Sequence, residues 1–353
     1  MIRIGHNIGI ADRNTFHMKV QTACLVEYDS IEDLKEIRSL LEDREQPDCL
    51  PVPVLHIGGG SNLLFTKDFP GTLLHSCIRF IRPLTSGKSS EVYVEVGAGT
   101  VFDDFCGWAA DRGLWGTENL SHIPGETGAA AVQNIGAYGV EVKDVIDRVN
   151  CYDMVLDKTV SFGCGDCGYG YRDSIFKRDR KGRYVVTSVT FRLSSDPAPV
   201  LDYGHIRAAV LARGETLTPS LVRDVITCIR KDKLPDPSET GSAGSFFKNP
   251  VVPRSDYERV LSIAELYLGK GCNVPHYDMG AGFIKIPAAW LIEQCGWKGC
   301  REGNAGVYEK QPLVIINATG NASPEEILSL EDKIVASVRK KFWITLTPEV
   351  EHI

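Results

Sequence analysis

Gly58-Gly59-Gly60-Ser61-Asn62-Leu63-Leu64 follows a short apolar run, Val52 to Ile57, and how this loop is read decides the fold. Upstream, Val20 to Glu27 alternates weakly as a strand. Ser30 with Asp33 resembles a capping box, and Ile31, Leu34, Ile37, Leu40 and Leu41 recur at helical spacing. A β-α-β unit is therefore expected at the start of the chain, ending in glycines that invite a dinucleotide-binding reading. That reading fails. Leu63 stands at the fingerprint's third glycine, and Phe65-Thr66-Lys67-Asp68-Phe69-Pro70-Gly71 cannot open a helix. A triple glycine still exposes backbone N–H groups that suit a pyrophosphate, although a plain tight turn would read the same way.

Three further stretches stand out. Gly97-Ala98-Gly99-Thr100 joins an alternating strand, Glu91 to Val96, to a helix expected over Val101 to Arg112. Its free N–H groups could meet an anion, but an ordinary helix start is the commoner explanation. Ile123 to Gly139 (IPGETGAAAVQNIGAYG) holds four glycines and four alanines, too little bulk to build a core. It suits backbone laid flat against a large planar ligand, with Gln133 and Asn134 offering amides. Ile123, Val132, Ile135 and Tyr138 argue for a packed segment over a disordered linker. Gly244-Ser245-Phe246-Phe247-Lys248-Asn249-Pro250 places a hydroxyl, an ammonium and a carboxamide around two aromatic rings. Gly244 permits a turn closed to residues with a Cβ, and the two rings supply a water-poor wall that strengthens polar contacts.

The remaining elements are an α+β mixture without strict strand–helix alternation. Strands are expected at Val145 to Tyr152, Val185 to Leu193, Pro312 to Asn317 and Thr345 to Val350. Helices are expected at Pro219 to Lys231, at Pro287 to Gln294 and after Ser323, and Ser194 to Tyr203 reads as an interdomain connection. At 353 residues the chain exceeds one core. Its net charge of -7, with no long basic run, argues against nucleic acid but leaves room for a small anion. Neither a secretion signal nor a membrane-length apolar run is present, so no membrane insertion is expected. Eleven cysteines, an odd number without framework spacing, fit reduced thiols in the cytoplasm. Cys164-Gly165-Asp166-Cys167 lacks the second pair a zinc site would want, so a glycine-rich turn is expected there and no metal.

Taken in order, G-G-G-S-N at 58–62, I-P-G-x-x-G at 123–128, Q-N-I-G-A-Y-G at 133–139, G-Y-R-D-S at 170–174, K-L-P-D-P at 233–237, G-S-F-F-K-N-P at 244–250 and P-E-V at 348–350 resemble the UDP-N-acetylenolpyruvoylglucosamine reductase family. The resemblance spans nearly the whole chain. It implies a three-domain α+β flavoprotein: 1–78 and 79–200 hold FAD in the manner of the vanillyl-alcohol oxidase (PCMH-type) superfamily, and 201–343 binds substrate. The last strand, 344–353, would return to the first domain. The subgroup implied is the one in which a tyrosine, here Tyr203, closes over the nucleotide.

By position, the resemblance gives catalytic roles to Arg172, Ser245 and Glu349, and substrate contacts to Lys233, Tyr203, Tyr171 and Asn249. Cofactor contacts fall on Gly58, Gly59, Gly60, Ser61, Asn62 and Leu63, on Ile123, Gly128 and Ala129, and on Gln133, Asn134, Ile135, Gly136, Ala137 and Gly139. The implied activity is NADPH-dependent reduction of UDP-N-acetylglucosamine enolpyruvate, through FAD, by a monomeric cytoplasmic enzyme of peptidoglycan precursor synthesis. The chain departs from the pattern at Ala129 and Ala130, where serines are common, at His17, where glycine is usual, and at Thr347, where an acid is usual. Two other readings compete: a sugar or alcohol oxidase on the same flavin fold, and an inactive nucleotide-sugar sensor. K-L-P-D-P and G-S-F-F-K-N-P speak against the first, and an intact Arg172, Ser245 and Glu349 set against the second.

Overall fold

The computed structural model describes residues 1–42, 49–84 and 90–353. The chain divides into two compact units, each assembled from separate stretches of sequence. The first comprises Met1–Ile8, Gln21–Gly59 and Phe69–Arg230; the second comprises Gly9–Val20, Gly60–Asp68 and Lys231–Ile353.

In the first unit, strand Gln21–Tyr28 buries Cys24, Val26 and Tyr28 against Leu34 and Ile37 of helix α1 (Ile31–Glu42). The expected β-α-β elements are present, but their two strands are not neighbours. Phe69–Ser76, which Pro70-Gly71 disguises as loop, lies between Gln21–Tyr28 and Val54–Ile57, parallel to both. Gly71 is required there because a Cβ would stand 1.8 Å from the Pro53 carbonyl oxygen. A second, antiparallel sheet runs in the order Lys158–Gly163, Ile146–Asp153, Tyr184–Ser194, Glu91–Gly97, Ile81–Leu84. Helices α2 (Phe102–Ala110) and α3 (Thr127–Gln133) supply Phe102, Phe105, Ala130 and Ala131 to the core around Val94, Val189 and Phe191.

The first unit runs on past residue 200. Helices α4 (Ile206–Leu211) and α5 (Pro219–Lys233) bury Ile206, Val210, Leu221, Val222 and Val225 with Trp115. Arg223 of α5 adds a two-pronged ion pair to Asp103 of α2.

The second unit carries a four-stranded sheet (Gly241–Ser242, Ile315–Asn317, Ala305–Val307, Arg301–Glu302) and a three-stranded one (Val251–Pro253, Phe283–Lys285, Tyr277–Gly280). Helices α6 (Arg254–Leu268), α7 (Ala288–Gln294) and α8 (Pro324–Phe342) belong to it. The sequence marks α8 clearly: Ser323 and Glu326 form a reciprocal capping box, and Ile327, Leu330, Ile334 and Val338 are its buried stripe. The last strand is Glu351–His352, parallel to Leu63–Leu64, and not the expected 345–350. The preceding residues are instead engaged by a single bridge, Phe247 to Pro348. No described helix is long and apolar enough to cross a membrane.

Candidate active site

In the first unit, glycine-lined backbone brings two of the motifs together. A Cβ on Gly58 would lie 3.0 Å from the Ala129 Cβ, and one on Gly59 would lie 3.7 Å from the Gly125 Cα. The glycine loop and the I-P-G-E-T-G segment are therefore packed side by side, at a separation that side chains would spoil. Gly128 is held likewise, since its Cβ would stand 2.9 Å from that of Ala98. The small-residue run is not uniformly extended: 127–133 is α3, and Asn134 ends it in the left-handed conformation (φ 48°). Strands Gly136–Ala137 and Val140–Glu141 then close a hairpin over Tyr138 (φ 50°) and Gly139 (φ 85°). Positive φ at both loop residues makes a type I′ turn, the connection that matches strand twist.

The amides of this run do different work. Asn134 spends its side chain on the fold, donating to Gly170 O (2.7 Å) and Glu141 Oε2 (3.1 Å) and accepting from Lys143 N (3.2 Å). Gln133 accepts from the Lys177 ammonium through Oε1, while its buried Nε2 has no partner among the described residues.

Asn134 also explains the placement of Arg172. Gly170 and Asp173 exchange backbone hydrogen bonds of 3.0 and 3.2 Å, which leaves Tyr171 and Arg172 at the tip of a tight turn. Arg172 has φ 56°, the left-handed region that a turn of this kind usually gives to glycine. Its guanidinium donates to the carbonyls of Asn134 (3.2 Å) and Gly136 (2.5 Å). It reaches across to the Gln-Asn-Ile-Gly run. Backbone strain kept at a long cationic side chain points to a job for that cation. Tyr203, 41% exposed, sets its ring edge-on to Tyr138 at 6.1 Å.

The second unit brings two further motifs together. Lys248 N donates to Thr347 O (2.9 Å) and Glu349 N to Phe246 O (2.8 Å), so the Ser245 and Glu349 segments run antiparallel in contact. Gly244, with φ 69° and open space around it, makes the turn before Ser245, and Phe246 and Phe247 are fully buried behind it. Asn62 straps the loop 60–62 to the same segment, donating to Glu349 O (3.1 Å) and accepting from Glu351 N (3.0 Å). Asn249 accepts from Ala288 N (2.9 Å), which ties this stretch to the start of α7. Lys233 is exposed at the end of α5.

Gly60 is a packing residue. At φ 63°, its Cβ would fall 2.1 Å from the Arg13 carbonyl oxygen. Gly60→Ala is expected to destabilise the protein by about 1–3 kcal/mol, the usual cost of forcing atoms into a filled space. Thermal melting checks this; an unchanged Tm would remove the argument.

Cys164 and Cys167 occupy a single turn of 3-10 helix and donate to the carbonyls of Lys143 (3.2 Å) and Gly163 (3.4 Å). Burial raises the Cys164 thiol and pushes that of Cys167 up to about 12, which disfavours the thiolate form of each. One charged residue escaped the sequence reading. Glu126 lies buried within I-P-G-E-T-G, its Oε2 placed 3.3 Å from where a Gly58 Cβ would be, and its signal was a lone acid among small residues.

Comparison with known proteins settles the lineage. A family model described as UDP-N-acetylenolpyruvoylglucosamine reductase, C-terminal domain, matches residues 236–353, and an FAD binding domain model matches 22–159. A UDP-N-acetylenolpyruvoylglucosamine reductase of Bacteroides fragilis (strain YCH46) is 46% identical over 344 residues, 98% of each chain. The chain belongs to the UDP-N-acetylenolpyruvoylglucosamine reductase family. The reductase of Porphyromonas gingivalis (strain W83) is 41% identical, covering 98% of this chain and 97% of its own. The crystal structure of the Thermus caldophilus reductase shares the fold, with a TM-score of 0.66 at 22% identity over 100% of this chain and 99% of that one.

Two departures from the reductase family pattern now have a physical account. His17 sits at φ 56°, which is why glycine is usual at that position. Ala130 is buried in the core beside α3's neighbours, so its methyl packs inward, whereas Ala129 is exposed. FAD, the cofactor of the reductase family, fits the first unit: Gln133 Nε2 is a buried donor in need of an acceptor, and a Cβ on Gly59 would meet nothing nearer than 3.7 Å.

Proposed function

We propose that this chain reduces UDP-N-acetylglucosamine enolpyruvate to UDP-N-acetylmuramate with NADPH as donor, in peptidoglycan precursor synthesis and so in cell shape and division. The observation that carries the reading is 46% identity to a reductase of that name along 98% of both chains. FAD, when bound, supplies two-electron relay between donor and substrate. Gly58, Gly59, Gly128 and Ala129 would hold its diphosphate, and Gln133 to Gly139 its ring system, with Ser61, Asn62, Leu63 and Ile123 alongside.

The substrate is an enol ether conjugated to a carboxylate. Adding hydride to its terminal carbon drives negative charge into that carboxylate, and the adjacent carbon must then take a proton. Arg172 is assigned the carboxylate, because a guanidinium fork meets it with two parallel charge-assisted hydrogen bonds. Glu349, in its protonated form, donates to the same group. Ser245 delivers the proton from a turn backed by two buried rings. Lys233 is assigned the substrate diphosphate, and Tyr203, Tyr171 and Asn249 line the nucleotide sugar. In this reading the domains are 1–78 with 344–353, 79–200 and 201–343, and the enzyme works as a cytoplasmic monomer.

The test is direct. The purified protein is expected to be yellow with bound FAD, and to oxidise NADPH at a rate that rises with added UDP-N-acetylglucosamine enolpyruvate. A colourless protein that takes up no FAD would defeat the proposal. Peroxide release on a sugar without NADPH would favour an oxidase.

A further inference from the structure

Glu126 places a carboxylate beside Gly58, within the backbone assigned to the FAD diphosphate. A diphosphate bound on that backbone would meet a second anion in Glu126, and like charges repel, so something must neutralise the acid. His75 Nε2 lies 2.9 Å from Glu126 Oε1, and His75 Nδ1 lies 3.2 Å from Glu27 Oε1. Only the doubly protonated ring donates to both; a neutral imidazole would turn a lone pair on one of the two acids. The sheet register builds the arrangement, since Glu27 and His75 are partners on parallel strands. Glu27 Oε2 in turn meets Arg3 Nε at 3.3 Å. The four side chains form an alternating row, Arg3, Glu27, His75, Glu126, that runs from the half-exposed Arg3 to the buried side of the glycine loop.

We infer that His75, as an imidazolium, is a positioning residue for cofactor retention: it holds Glu126 and cancels its charge, and FAD is bound tightly only while His75 carries its second proton. This rests on the FAD site assigned above. Burial alone would lower the pKa of His75, but the hydrogen bonds and charges of Glu126 and then Glu27 outweigh it and leave the pKa raised. The other ionisable groups facing the row are Cys77, whose thiol is raised by burial, Arg79 close to Cys77, and the buried Tyr28, raised by burial. Glu27, His75 and Cys77 also bring three possible metal-ligand atoms within 4.8 Å of one another. A ring with a carboxylate on each nitrogen, however, has no lone pair left for a cation.

The sign follows from the raised pKa. The charged ring is fully present below the usual histidine range, and the stabilisation of bound FAD is lost as pH rises through the folded-state value. The experiment dilutes the holoenzyme at a series of pH values between about pH 7 and pH 10 and follows FAD release by flavin fluorescence. For the unaltered protein the FAD Kd is expected to rise by about tenfold or more across the series. Glu126→Gln removes the acid, so its Kd should stay low and nearly flat. His75→Asn should bind FAD weakly at every pH; if it does not fold, Glu126→Gln carries the test by itself. A flat profile in the unaltered protein, or the same slope in Glu126→Gln, overturns the inference and leaves the FAD site standing. Failure to hold FAD at any pH removes both.

Discussion

Ser245→Ala is expected to lower turnover of UDP-N-acetylglucosamine enolpyruvate by about 10²–10⁴-fold, the range for loss of a positioned general acid. Bleaching of the bound flavin by NADPH should continue at its original rate. The contrast follows from where Ser245 stands. It follows Gly244, whose left-handed backbone and open surroundings shape the turn, and it precedes two buried rings. A serine hydroxyl is a weak acid. It can serve only a strongly basic carbon centre in a dry pocket, and it has nothing to contribute when NADPH is the only substrate present. Ser245→Cys keeps an ionisable proton at the same spot and should retain measurable activity. Stopped-flow measurement of the two half-reactions separates the cases, and equal loss of both in Ser245→Ala rejects the role.

The second large effect is expected at Arg172. Arg172→Lys should lower kcat by about 10²–10³-fold, with less change in KM, as for removal of one donor to a developing oxyanion. A lysine keeps the charge but not the fork. Arg172→Gly separates function from fold. Glycine accepts φ 56° without the cost of about 1–2 kcal/mol that other residues bear in the left-handed region. The loss of the hydrogen bonds to Asn134 and Gly136 works in the opposite direction. Thermal stability is therefore expected to change little while activity falls as far as in Arg172→Lys. A glycine variant with normal kcat would show that Arg172 serves only the turn.

Much of the fold was legible because its signals are local. Ser323, Pro324 and Glu326 mark the start of α8, and the alternation of Glu91 to Val96 marks a strand, because caps and periodicity act over a few residues. The failed fingerprint at Leu63 likewise argued against a dinucleotide-binding unit, and the lack of strict strand–helix alternation against a doubly wound sheet. What stayed hidden depends on distant partners. Phe69–Ser76 is a central strand only because Gly71 must pass under the Pro53 carbonyl, and Glu351–His352 is a strand only because Leu63–Leu64 lies beside it. Helix 127–133 was masked by its own alanines and glycine, which read as a bare surface for a ligand. Motif order is what assigns roles to Arg172, Ser245 and Glu349 under the proposed function. No spacing rule could reveal that Arg172 occupies a glycine's conformation, or that Glu126 meets His75 from a strand far back in sequence.

The patchwork composition of the two units bears on how the protein is made. Gly9–Val20 and Gly60–Asp68 leave the ribosome early, yet the residues they join begin only at Lys231 and extend to the last residue. These early segments must wait, unsatisfied, through most of translation, and contacts of such long range are slow to form. A cut after Arg230 would leave Lys231–Ile353 without Gly9–Val20 and Gly60–Asp68 of its own unit, so that part expressed by itself is expected to be insoluble where the intact chain folds.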